Sequence, residues 1–226
     1  LYMAACDVLA DLHMQQVKEL NVPEYTAEKM LEEALLFTDW YLVEMLGESK
    51  ARALRDEYVA IWSEIIAAMP FLLPVVVLRD YHADNLLWLP EREGIKQVGL
   101  LDFQDALIGS PAYDLVSLLE DARRDVPLEI VQISINRYLQ KTSWDKADFM
   151  VHYTLLGAQR NCKIIGIFTR LAKRDGKHHY LNLLPRVWSH LQYDLQHPVL
   201  RPLKEWMDSV LPEAQRGIPQ LEKRAS

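Results

Sequence analysis

The chain has 226 residues, half of them apolar and a quarter charged, enough to bury one substantial core in an ordinary globular protein. A net charge of −7 argues against non-specific nucleic-acid binding, which draws on clustered Lys and Arg. No apolar run reaches the roughly 18 residues of a membrane span. Cys6 and Cys162 lie in apolar helical contexts outside any Cys-x-x-Cys or Cys/His pattern, so they read as reduced structural thiols. The opening residues resemble a mixed helix rather than a signal peptide. A cytoplasmic location is expected.

Residues 1–20 place Val8, Leu9, Leu12, Val17 and Leu20 at helical spacing, ahead of Asn21-Val22-Pro23. Thr26 is a candidate N-cap for a helix reaching Leu46 and stopped by Gly47. A third helix is expected from about Glu48 to Met69. Three short strands follow: Pro74-Val-Val-Val-Leu78, Asn85-Leu-Leu-Trp-Leu89 and Gln97-Val-Gly-Leu-Leu101, the last two joined by a turn through Pro90–Gly94. Helices are then expected over Ala112–Asp121, from Pro127 to about Lys141, and from Asp145 to about Lys173, the last mildly interrupted by Gly157 and Gly166. Two more cover 177–195 and 199–211. The polar tail from Pro212 is expected to fray. The class is α+β, mostly α: a helical lobe with one small β-hairpin region.

The chemistry concentrates between the first and third strands. Arg79-Asp80-Tyr81-His82-Ala83-Asp84-Asn85 precedes Leu101-Asp102-Phe103-Gln104-Asp105. An aspartate, an asparagine five residues on, and an aspartate ending the next apolar strand form the acidic half of a phosphoryl-transfer site. Asp80 can orient and deprotonate an acceptor hydroxyl, and Asn85 and Asp102 can hold Mg²⁺ against ATP phosphates. The hairpin is expected to bring Asn85 and Asp102 to one end, where an ion would be shared.

This run resembles the catalytic loop and metal segment of the aminoglycoside phosphotransferase and choline kinase-like family, distant relatives of protein kinases. Gly109-Ser-Pro-Ala-Tyr-Asp-Leu115 is similar to that family's next segment, whose aspartate, here Asp114, supports the catalytic loop. Tyr113-Asp-Leu-Val-Ser-Leu-Leu119, Gln159-Arg-Asn-Cys-Lys-Ile-Ile-Gly-Ile-Phe168 and Arg174-Asp-Gly-Lys177 look like the bacterial anomeric sugar kinases acting on N-acetylmuramate and N-acetylglucosamine. The resemblance covers about residues 1–195. It implies the C-terminal lobe of a protein-kinase-like fold, with ATP and Mg²⁺ as cofactors. Two departures stand out. Leu78 occupies the place where the family usually has a histidine. No Gly-x-Gly cluster, Walker motif or early strand-borne lysine is present, so the nucleotide-covering amino-terminal lobe is expected to lie outside this chain.

Around this set, His82 is expected to position the loop. Arg79 either neutralises a neighbouring acid or is structural, and Asp105 either meets an acceptor hydroxyl or braces the loop. Asp39 and Trp40 pair a carboxylate with an aromatic face, a sugar-binding combination that a core helix would also produce. Arg160 and Lys163 share a helix face. They could grip a sugar or its carboxylate, or pair with Asp102, Asp105 or Asp114. The leading expectation is an ATP- and Mg²⁺-dependent kinase of an anomeric hydroxyl. Another small alcohol or an aminoglycoside as acceptor, or a non-catalytic binding module, are the alternatives. The nucleotide and a sugar are the expected partners, with no nucleic acid and no membrane.

Overall fold

The computed structural model describes residues 1–15, 17 and 21–221. They separate into two compact units, one of 1–26 with 70–156, the other of 27–69 with 157–221.

The first unit opens with α1 (Tyr2–His13), whose apolar face buries Ala5, Cys6, Val8, Leu9 and Ala10. The helix is shorter than its spacing predicts. The buried face ends at His13, and Met14 and Gln15 are exposed; Leu20, the last expected helical position, lies outside the described residues. Pro23, Glu24 and Tyr25 instead run beside β4 (Leu107–Gly109). Ile108 N–H donates to Pro23 O (2.7 Å), and Tyr25 N–H to Ile108 O (2.8 Å).

That strand was not expected. It pairs antiparallel with β1 (Val75–Val77), whereas β2 (Leu86–Trp88) pairs with β3 (Val98–Leu100) as the anticipated hairpin. Leu-Ile-Gly is too short for its periodicity to separate strand from turn. The unit is completed by α5 (Tyr113–Leu119), α6 (Leu128–Thr142) and the first part of α7 (Lys146–Asp175). Arg137 on α6 clasps Asp7 on α1 through two bonds of 2.7 and 2.6 Å, and Lys141 joins at 3.1 Å.

In the second unit, α2 (Ala27–Ala34) leads into a π-helical turn over Phe37–Leu42, then α3 (Val43–Leu46) and α4 (Glu48–Ala67). The rest of α7, α8 (Leu184–Asp194) and α9 (Arg201–Val210) complete it. Phe37, Tyr41, Tyr58 and Trp188 form an aromatic core, with ring centroids 5.4–5.8 Å apart.

Two expectations fail here. α7 is not interrupted at its glycines, which are places of close approach instead: a Cβ on Gly166 would stand 2.2 Å from Leu36 O, and one on Gly157 2.8 Å from Asp194 Oδ2. Nor does the tail fray as far as Leu221. Tyr41 Oη donates to Gly217 O (2.9 Å) and accepts from Gly217 N–H (3.1 Å). Arg216 bonds Asp208 (2.5 Å) and lies 5.5 Å over the Trp188 ring, and Pro219 is buried. Residues 222–226 lie outside the described residues. Both thiols are buried and unbonded to one another; burial pushes Cys6 up to about 11 and Cys162 up to about 12, which keeps them protonated and unreactive.

Candidate active site

Strand β1 delivers the chain into the loop 78–85. Arg79 takes a left-handed φ of 71°, a conformation that costs a non-glycine residue energy and so needs outside support. The support is Asp114, in the first turn of α5 and fully buried. Its carboxylate accepts from the N–H of Leu78 (2.7 Å) and of Arg79 (2.9 Å).

The loop then curls around the Asp80 carbonyl, which accepts from His82 N–H (3.0 Å) and Asn85 Nδ2 (2.9 Å). The Asp80 side chain is exposed. Among the described residues no hydrogen bond or ion pair occupies its carboxylate, so it is open to an incoming hydroxyl. Tyr81 is turned the other way, its hydroxyl donating to Ala5 O on α1 (2.9 Å). Burial, then the nearby Asp114 charge, pushes its hydroxyl above the ordinary tyrosine range.

The bond from Nδ2 to a carbonyl settles the orientation of the Asn85 amide, because only the NH₂ can donate. Oδ1 is thus the atom left for a cation. Leu86 pairs with Leu100 at the end of the hairpin, and Leu101 N–H donates to Asn85 O (3.0 Å). Asp102 therefore stands one residue past the partner of Asn85, at the same end of the hairpin. It also carries a left-handed φ, 58°, and accepts from Gln104 Nε2.

Among the described residues no three His, Cys, Asp or Glu gather as a metal cage. The Asn85 and Asp102 oxygens are a hard, incomplete donor set. That set suits Mg²⁺, which is usually held by one or two protein oxygens together with phosphate oxygens and water.

Comparison with known proteins bears on this arrangement. The family model described as "APH: Phosphotransferase enzyme family" matches residues 1–150. The chain belongs to this phosphotransferase family. It is 45% identical over 157 residues to an N-acetylmuramate/N-acetylglucosamine kinase of Caulobacter vibrioides, covering 69% of this chain and 43% of that protein. It is 35% identical over 223 residues to the protein of the same name from Pseudomonas aeruginosa, covering 93% and 63%. For the Neisseria meningitidis serogroup B protein, again of that name, the figures are 36% over 191 residues, 77% and 53%. The chain thus spans about half the length of these curated relatives. Among solved structures, ADP-bound aminoglycoside phosphotransferase APH(2'')-Ib superposes with a TM-score of 0.52 at 20% identity, over 84% of this chain and 62% of that one. That likeness is one of fold: mostly helical with small antiparallel sheets, as in the helical lobe of a kinase-like protein.

In this member of the phosphotransferase family, the other expected site residues divide between the units. In the first, His82 is buried within the loop, its Nε2 3.5 Å from Asn85 Nδ2. Asp105 is exposed beyond Asp102. In the second, Asp39 and the half-buried Trp40 lie on the π-helical turn. Asp39 is bound to Arg55 (2.9 Å), at the edge of a depression of about 270 Å³ shared with Thr38, Glu48 and Arg52. Lys163 pairs with Glu33 (3.0 Å). Arg160 is buried.

Sequence reasoning missed two features near the loop. Arg124 grips Asp84 (2.5 Å), inside the loop itself, with Arg123 at 3.8 Å; this holds the Asp84 carboxyl below the usual range. The second is His13, buried against Asp114 from α1. The Asp84–Arg pairing had a visible signal in the adjacent arginines after α5; His13 had none.

Proposed function

We propose that this chain is the catalytic and acceptor-bearing part of an ATP- and Mg²⁺-dependent kinase that phosphorylates the anomeric hydroxyl of N-acetylmuramate or N-acetylglucosamine. The observation that carries the reading is the exposed, unoccupied Asp80 carboxylate on a loop whose own carbonyl orients Asn85. The acceptor comes from the names of the relatives at 35–45% identity.

In this reading the acceptor oxygen forms a bond to the γ-phosphorus while the bond from that phosphorus to the β–γ bridging oxygen breaks. Asp80 aligns the hydroxyl and takes its proton. An anomeric hydroxyl is more acidic than a simple alcohol, so a carboxylate is a sufficient base. Asn85 Oδ1 and Asp102 would hold Mg²⁺, which neutralises phosphate charge. Asp114 keeps the loop in its left-handed turn, so Asp80 is positioned before substrate arrives.

The test is ADP release by the full-length protein with Mg-ATP and each sugar. ADP formation dependent on either sugar is expected. Its absence with both, alongside activity on another alcohol, would move the acceptor assignment. Asp102→Ala is expected to weaken Mg-nucleotide binding at least about tenfold, read by titration calorimetry.

A further inference from the structure

The catalytic loop rests on Asp114, and Asp114 has a third neighbour besides the two backbone amides. His13, at the last turn of α1, has a fully buried side chain with Nε2 3.9 Å from Asp114 Oδ2. Its other nitrogen, Nδ1, is 2.7 Å from the hydroxyl of Tyr138 on α6, and the two rings meet edge to face with centroids 5.8 Å apart. The Tyr138 hydroxyl also has Pro111 O within 3.4 Å. The shorter contact favours a hydroxyl proton shared with Nδ1, which leaves the imidazole hydrogen on Nε2. Among the described residues Nε2 has no hydrogen-bond partner. A bare lone pair there would face a carboxylate oxygen at a fully buried position, an unfavourable arrangement, whereas an N–H would complement it.

We propose that His13 is a positioning residue of the phosphoryl-transfer loop: its Nε2–H is directed at Asp114 Oδ2, and through Asp114 it holds the Leu78 and Arg79 amides and thereby Asp80. The order of contact is Tyr138 on α6, His13 on α1, Asp114 on α5, then the loop. At 3.9 Å the last link is electrostatic rather than a hydrogen bond, and it acts on the oxygen that Leu78 N–H already donates to. α1 touches the loop directly where Tyr81 Oη donates to Ala5 O. A buried imidazole brought in from α1 supports the loop although position 78 carries a leucine.

Two measurements on the full-length protein decide the matter without activity. Nitrogen NMR of the His13 ring, assigned by its loss in His13→Gln, is expected to show a protonated Nε2; a proton on Nδ1 with bare Nε2 would overturn the proposal. Amide exchange at Leu78 and Arg79 is expected to speed by at least about tenfold in His13→Leu relative to the core amides of α7. Unchanged protection at those two amides, or an equal loss everywhere, would reduce His13 to packing.

The kinetic consequence rests on the function proposed above. His13→Leu is expected to lower kcat, up to the order of 100-fold, with the nucleotide KM unchanged. His13→Gln, which keeps a donor, is expected to restore most of kcat. A raised KM with intact kcat would contradict the role. If the unaltered protein transfers phosphate to neither sugar, the functional reading fails, while ring protonation and amide exchange still decide the link to Asp114.

Discussion

Asp114 shows how much a single buried carboxylate can organise. Its two oxygens take the N–H groups of consecutive residues in a turn that Arg79 enters at positive φ. Asp114→Asn replaces one acceptor by an NH₂ facing an amide hydrogen, and an orphaned buried donor costs about 1–3 kcal/mol. Urea unfolding should show a loss of that size, and transfer should fall with it. His152 gives a pH handle in the same unit. Its Nε2 must donate to Pro70 O (2.7 Å), so neutral Nδ1 accepts from Ser110 (2.9 Å). Burial, only partly offset by the Pro70 bond, pulls the ring below its usual value of 6.5. The unfolded chain therefore binds this proton first as pH falls. The contribution of the site is complete above about pH 6.5 and drains away below it, as the pH drops through the lowered folded value. His152→Gln is expected to flatten the fall in Tm between about pH 7 and pH 5; an unchanged slope would contradict it. At this scale the pattern of Asp80, Asn85 and Asp102 was visible from its spacing, and Asp114 from the family resemblance. His13 was not, since its partner Tyr138 stands 125 residues away.

At the scale of elements, the helices were readable from their apolar spacing and their breakers, as α4 shows with Ala51, Tyr58, Trp62 and Ile65 along one buried stripe. Glycine was misleading. In isolation it weakens a helix by about 1 kcal/mol, yet Gly166 lets α7 lie against the Leu36 carbonyl, just before the π-helical turn. Because the obstacle is backbone, Gly166→Ala should cost about 1–3 kcal/mol despite the gain in helix propensity, measured as a lowered unfolding midpoint. The docked tail was equally invisible, as a polar Pro/Gly segment carries no mark of its receptor. Tyr41→Phe removes both bonds to Gly217. Residues 216–221 should then become accessible to proteolysis while the aromatic core stays folded. Strand β4 escaped notice because its pairing with β1 is non-local, and three residues set no pattern.

Over the whole molecule, sequence and structure agree on a mostly helical protein with small antiparallel sheets, between which the candidate loop lies in the chain. The two-strand hairpin sets Asn85 and Asp102 at one end, and α5 fixes the loop that presents Asp80. The charged residues expected on the acceptor side were harder to read. Lys163 and Asp39 have counter-charges within the second unit, Glu33 and Arg55, and composition does not say which counter-charge a given residue meets. The central claim is that Asp80 faces the acceptor. Its most direct test is phosphorus NMR of the full-length protein and its Asp80→Asn variant, each with Mg-ATP and N-acetylmuramate or N-acetylglucosamine, together with the Mg-ATP affinity of both. The account predicts an anomeric sugar phosphate from the unaltered protein, none on the same timescale from the variant, and nearly equal nucleotide affinity; near-normal turnover by Asp80→Asn would contradict it.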